Sequence, residues 1–310
     1  MHLLIPYAFS SSEGCAAALP TLKLPHLEKL LVRLTPEPLD ALDNASLSPP
    51  HERALARALG LPLADGLIPW AALQALQNGL PGGAWAFITP CHWHVGSKHA
   101  AMGGMRLPAF SESDSRTLLA AMLPYFTEDG IDLHYWQPHC WLARSDLFDG
   151  LATAALERVV GRDVQTWLPS GPKASTVQRL QAEMQMLLYH HPLNDERAAQ
   201  GLVPVNSFWL SATGGLHELP ATQAETPLVI TTLRDAALNE DWAAWAQAWT
   251  ALDSTECAAL RSALARGEPV QITLCGERNA QGFRGTPQSA FKRLLGLFES
   301  RRAATVLETL

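Results

Sequence analysis

Short apolar runs that read as strands alternate with amphipathic helical runs at both ends of this 310-residue chain, and the pattern changes in the middle. Leu3-Leu4-Ile5 reads as a buried strand, and Leu27, Leu30, Leu31 and Leu34 mark a helix opened by Pro25, a tolerated first-turn position. Near the other end, Leu228–Thr232 reads as a strand, and Val270, Ile272 and Leu274 alternate as another, with Phe283 on its hairpin partner. Between them Trp242, Trp245, Ala246, Trp249 and Leu252 form one helix face, a spacing that belongs to a core. Ser254 is expected to cap a further helix closed by Gly267, and Phe291, Leu294, Leu295 and Phe298 to pack a last one.

After a Pro-rich connector (residues 35–50), short helices are expected around Ala54–Leu59 and from Pro69 to Gln77; the Gly82-Gly83 break follows. Ala84–Ile88 is then a strand, Ser111 caps a helix carrying Leu118 and Met122 with Asp114 at its third position, and residues 131–136 alternate as a strand. Ser145 is expected to cap a helix through Val159, stopped by Gly161. The fold class that follows is α/β: a mostly parallel sheet flanked by helices, with an inserted α/β subdomain. Residues 1–80 plus 223–310 form the expected core, and residues 81–222 the insertion.

Size and charge narrow the function. A chain that is 47% hydrophobic can bury a large core, and a net charge of −7 argues against a nucleic-acid surface. No apolar run reaches the roughly 20 residues needed to cross a bilayer, and the N-terminus has no basic region of the signal-peptide kind. Five scattered cysteines without a C-x-x-C fit a reduced, cytoplasmic protein.

The richest stretch runs from Gln178 to Gly215. Val177, Leu180, Met184, Leu187 and Leu188 form a buried helical stripe, Gln178, Gln181 and Gln185 lie off it, and Arg179 can pair with Glu183 one turn on. Pro192 is expected to end that helix, leaving a polar connection of His190, His191, Asn194, Asp195, Glu196 and Arg197. Val205–Leu210 then reads as a strand that empties into a Gly214-Gly215 turn. Such groups either satisfy one another's backbone or line a pocket. The pocket reading puts His191, Asn194, Arg197 and Asn206 in one cleft with His92, a set rich in donors for a phosphate or carboxylate. Its rival has Arg197 paired with Asp195 or Glu196 on the surface.

His92, His94 and His99 are the histidine cluster with ligand-like spacing, because a His-x-His on a strand points both rings to one face. They are metal candidates without a neighbouring carboxylate; a hydrogen-bonded loop is the competing reading. No G-x-G-x-x-G, phosphate-binding P-loop or G-x-S-x-G elbow occurs. The basic C-terminal group, Arg278 to Arg302, reads as a solvated face.

Several segments resemble a known group. Arg179-Leu180-Gln181-x-Glu183-Met184-Gln185, His191-Pro192-Leu193-Asn194-Asp195-x-Arg197 and Pro204-Val205-Asn206-Ser207-Phe208-Trp209 look like the proteobacterial RpfE-type regulatory proteins, as do Thr89-Pro90-x-His92-Trp93-x-Val95-Gly96 and Pro124-Tyr125-Phe126-x-Glu128-Asp129-Gly130. More distantly, the spacing of His191, Pro192, Asn194, Arg197, Pro204 and Asn206 is similar to archaeal-type cofactor-independent phosphoglycerate mutases. That resemblance implies the alkaline-phosphatase fold with an inserted substrate domain. It also implies a metal-binding Asp just after the first strand and His and Asp ligands in the C-terminal third. Here the first position reads Pro6-Tyr7-Ala8-Phe9, and no histidine follows His217. Two-metal phosphoryl transfer needs such a cage of ligands.

The expected function is therefore a phosphoglycerate-mutase-like regulatory protein without metal catalysis or cofactor. Its expected partner is a small anionic or phosphorylated metabolite, or another protein. The alternatives are an active mutase or phosphatase with relocated metal ligands, and a structural interaction protein.

Overall fold

The computed structural model describes residues 1–96, 99–221, 226–285 and 302–310. The strands are β1 (His2–Ile5), β2 (Thr35–Pro36), β3 (Asp40–Ala41), β4 (Gly83–Cys91), β5 (Trp93–Val95), β6 (Ala100–Met102), β7 (Asp132–Gln137), β8 (Cys140–Arg144), β9 (Ser207–Leu216), β10 (Leu228–Val229), β11 (Val270–Cys275) and β12 (Asn279–Gly285). The chain divides into two compact units. One comprises Met1–Ala45, Pro49–Gly60 and Thr222–Leu310; the other comprises Ser46–Ser48 and Leu61–Ala221.

The first unit is an α/β layer structure. Its sheet runs β10-β1-β11-β12-β2, with β3 also on β12. The centre, β10-β1-β11, is parallel, and β12 with its two short partners adds an antiparallel edge. Helix Trp242–Leu252 buries Trp245, Trp249 and Leu252, as their spacing predicts. The indole N–H of Trp245 donates to the Tyr7 carbonyl (2.9 Å) and that of Trp249 to the Ala8 carbonyl (3.2 Å). These bonds fix the chain where it leaves β1, and the Ala8 N–H donates to the Cys275 carbonyl at the end of β11 (2.8 Å). Buried indoles need such partners.

Ser254 does not start a new helix. Its hydroxyl turns back to the Ala251 carbonyl (2.8 Å), and the chain continues through a π-type turn, Asp253–Cys257, into helix Ala258–Ala265. Asp253 thereby becomes the cap of a different helix. Its carboxylate accepts from the backbone N–H groups of His26 (3.1 Å) and Leu27 (2.7 Å) at the start of helix Pro25–Arg33, which has no side-chain cap of its own. The expected last helix, on Phe291 to Phe298, lies outside the described residues.

The second unit is built on an antiparallel sheet, β7-β8-β4-β9, with a separate hairpin β5-β6. Helices Glu112–Glu128 and Ala174–Tyr189 supply a core with Phe126, Met184 and Leu188 at its heart. The Ser111–Asp114 capping box forms as expected.

Four further expectations need correction. Gly214-Gly215 is not a turn: β9 runs through both, paired with Trp85 and Ala84. A Cβ on Gly214, at φ +141°, would stand 2.9 Å from the Leu67 carbonyl, so glycine there serves a close approach within a strand. Pro192 does not leave a loop behind it, because it is the first residue of helix Pro192–Ala199. Ser145 caps only a 3-10 turn, Asp146–Phe148, and the helix before Gly161 is the short Leu156–Val159. Gln181 is buried and donates to the Phe208 carbonyl (3.2 Å), which ties its helix to β9.

Replacing Trp245 by Ala should destabilise the first unit by about 3–5 kcal/mol, from the lost burial and the orphaned Tyr7 carbonyl. Chemical denaturation measures this; a loss below about 1 kcal/mol would place the helix off the core.

Candidate functional site

The residues singled out between His191 and Asn206 separate into backbone supports and one open surface. His191 caps helix Pro192–Ala199: its Nδ1 accepts from the Leu193 N–H (3.2 Å). Asn194 is buried and spends its whole amide on the backbone. Its Nδ2 donates to the carbonyls of Leu188 (2.7 Å) and Val205 (2.8 Å), and its Oδ1 accepts from the Val205 N–H (2.8 Å).

Arg197 is 3% exposed and pairs with neither Asp195 nor Glu196. Its Nε donates to the Val203 carbonyl (2.9 Å), and its two Nη atoms to Pro108 (3.0 Å) and Ala109 (3.4 Å). The guanidinium also lies 5.6 Å from the Phe110 ring centroid. Burial pulls its pKa down from the ordinary arginine value, against the opposing charge of Asp114. It is an internal clamp between the segment before Ser111 and the segment before Val205.

Asn206 does face His92, at the foot of the β5-β6 hairpin. Its Oδ1 accepts from the Trp93 N–H (2.7 Å) and its Nδ2 donates to the Trp93 carbonyl (2.8 Å), so it pins the residue between His92 and His94. The pinned hairpin has two faces. Trp93 and Met102 turn inward, into a small core with Trp209, Val159 and Trp167. His92 and His94 turn to the other face, and the register places Ala101 opposite His94. The Gly103 N–H donates to the His92 carbonyl (2.8 Å) and the Gly96 N–H to the His99 carbonyl (2.9 Å). A Cβ on Gly103 would sit 2.9 Å from that His92 carbonyl, so the strand partner of His92 has to be small.

The resulting hollow holds about 530 Å³ and is lined by His92, His94, His99, Trp93, Val95 and Asn206, among others; none of its described lining residues is a carboxylate. His191, Asn194 and Arg197 are not among them, so the expected single cleft resolves into His92 and Asn206 on the hollow and three residues elsewhere. Among the described residues, no three His, Cys, Asp or Glu side chains come together in a way that could hold a metal ion.

His92 is set for one protonation state. Its Nδ1 faces the Pro204 carbonyl at 2.8 Å, and a carbonyl only accepts, so Nδ1 carries the proton. Burial, and more weakly the charge of nearby His94, pull the His92 pKa below the ordinary histidine value against the Pro204 hydrogen bond, which raises it. Near neutral pH its Nε2 is therefore a lone pair. The signal available in the sequence was the His-x-His alternation; that Asn206 anchors it from 112 positions beyond His94 was not readable locally.

Two outcomes test this layout. Arg197→Ala should destabilise the second unit by roughly 2–4 kcal/mol, since it strands buried carbonyls, and lysine should rescue little because it cannot reproduce the fork. A variant as stable as wild type in urea unfolding would contradict the clamp. The second is a pH dependence. Burial, and for His139 also Arg106 and Arg197, lower the folded-state pKa of both His92 and His139. The unfolded chain then takes up protons first, so stability should fall as pH drops below about 6.5, the ordinary histidine value. His139→Gln should flatten that slope; a stability that rises on acidification through this window would contradict the assignment.

The sequence matches no protein-family model and no curated protein. The structure is similar to a cofactor-independent phosphoglycerate mutase from Thermoplasma acidophilum DSM 1728, with a TM-score of 0.35 and 12% identity over 100% of this chain and 98% of that one. It is also similar to the PH0037 protein from Pyrococcus horikoshii, with a TM-score of 0.41 and 11% identity over 92% of this chain and 87% of that one.

Proposed function

We propose that this chain is a phosphoglycerate-mutase-like protein of regulatory type, which binds a small anionic or phosphorylated metabolite rather than turning it over. The observation that carries this reading is the end of β1. Two-metal phosphoryl transfer asks for a cage of Asp and His ligands, and the segment leaving β1 is Pro6-Tyr7-Ala8-Phe9, whose Tyr7 and Ala8 carbonyls accept from Trp245 and Trp249. The RpfE-type pattern in the sequence supports the regulatory role, and the histidine hollow supplies the surface for a ligand. His94 and His99 are exposed there, and none of the described lining residues is Asp, Glu, Lys or Arg.

Purified protein should show no manganese- or magnesium-stimulated phosphoglycerate mutase or phosphatase activity. It should be stabilised in a thermal-shift screen by one or a few phosphorylated metabolites, because a ligand specific for the folded state raises its apparent stability. His94→Ala should remove that stabilisation without lowering the melting temperature of the unliganded protein. Robust metal-stimulated turnover would overturn the non-catalytic reading, and stabilisation undiminished in His94→Ala would move the ligand away from the hairpin.

A further inference from the structure

We infer that His92 and His94 form a two-imidazole site for a divalent ion of the zinc, nickel or copper class, whose remaining positions face the hollow. This deepens the functional reading above and rests on the hollow being the ligand surface.

Three observations on the hairpin converge. The first is orientation. Histidines that ligate a metal commonly donate their other ring N–H to a backbone carbonyl, which fixes the tautomer and aims the lone pair. The His92 Nδ1–H meets the Pro204 carbonyl at 2.8 Å in that manner and leaves Nε2 for a ligand.

The second is spacing. The rings of His92 and His94 have centroids 4.5 Å apart, with planes at 81°. With metal–nitrogen distances of about 2.1 Å, two imidazoles sharing one ion at roughly a right angle have centroids about 4.5 Å apart. The observed contact is edge-to-face, so chelation asks the exposed His94 ring to turn between its staggered rotamers until its lone pair lies beside that of His92. The backbone between the rings is already held by both bonds of the Asn206 amide to Trp93, so the ordering cost of binding is small.

The third is chemistry. The lining offers imidazole nitrogen and no carboxylate, which suits zinc, nickel and copper and not magnesium, manganese or calcium. With two protein ligands, water or an anionic ligand completes the coordination. A cation at this place would also supply the positive charge that a neutral His92 does not.

The test is zinc titration of the full chain by calorimetry at pH 7, in the absence of any metabolite, on wild type and on His94→Ala. One zinc ion should bind per chain. Loss of outer-shell partners alone weakens metal sites by about 10–100-fold, so His94→Ala should weaken binding at least tenfold. Because His94 is exposed, that variant keeps the fold, and its melting temperature without zinc serves as the control. In the imidazole nitrogen NMR spectrum of wild type, zinc should shift the His92 Nε2 resonance and leave its Nδ1 protonated. Magnesium should do neither. Absence of zinc binding, equal affinity in His94→Ala, or shifts confined to other histidines would overturn the site. If zinc fails but a phosphorylated metabolite stabilises wild type and not His94→Ala, the metal falls and the hollow stands. If both fail, both readings fall.

Discussion

The Asn194 side chain decides what the most distinctive part of this chain is for. One primary amide closes three hydrogen bonds inside the protein: to the last turn of helix Ala174–Tyr189 through Leu188, and to both backbone groups of Val205 at the entrance to β9. Buried backbone groups without partners cost about 1–3 kcal/mol each, and Asn194 serves both the N–H and the carbonyl of Val205. Arg197 does the same work one turn later for Val203, Pro108 and Ala109. Together they bring β9 into register beside β4, where Asn206 can reach across to Trp93 and hold the hairpin. The hollow is thus a consequence of the supports and is not made from them.

The chemistry available follows from that division. Groups suited to grip an anion, the Arg197 fork above all, are buried against carbonyls. Groups that face the open surface are imidazoles on a hairpin whose opposite face is anchored by Trp93, Met102 and Trp209. A surface of this kind is nitrogen-rich, with no carboxylate among its described lining residues. At the other unit, the chain leaving β1 is held by the indole hydrogen bonds of Trp245 and Trp249 to the Tyr7 and Ala8 carbonyls. No helix among the described residues is long and apolar enough to cross a membrane.

Much of the fold was legible because it rests on local periodicity. The Trp242–Leu252 face, the β11–β12 hairpin, the Ser111 capping box and the buried stripe of helix Ala174–Tyr189 are each set by residues within a few turns of one another. What was not legible depends on distant partners. Gly214 looks like a turn until the Leu67 carbonyl above it is known, and Ser254 looks like a cap until Asp253 is seen to serve the helix at Pro25. Pro192 carries two opposite signals, stop and start, and only the His191 cap selects the second. For the site, the sequence shows a donor-rich set but not where each donor goes, because a donor-rich loop looks the same whether its donors meet a ligand or the protein's own carbonyls.

The central claim is that the Asn194–Arg197 segment is architecture and the hairpin face is the binding surface. Native-state hydrogen exchange of the Val205 amide addresses it most directly, since that N–H is held by the Asn194 carboxamide and by nothing outside the protein. The account predicts that this amide exchanges only when its whole unit unfolds, with the same opening free energy as the central β4 amides, and that it keeps pace with them when ligand is added. Exchange through a low-energy local opening, selectively suppressed by a phosphorylated metabolite, would show that the segment is a mobile ligand clamp and would contradict the account.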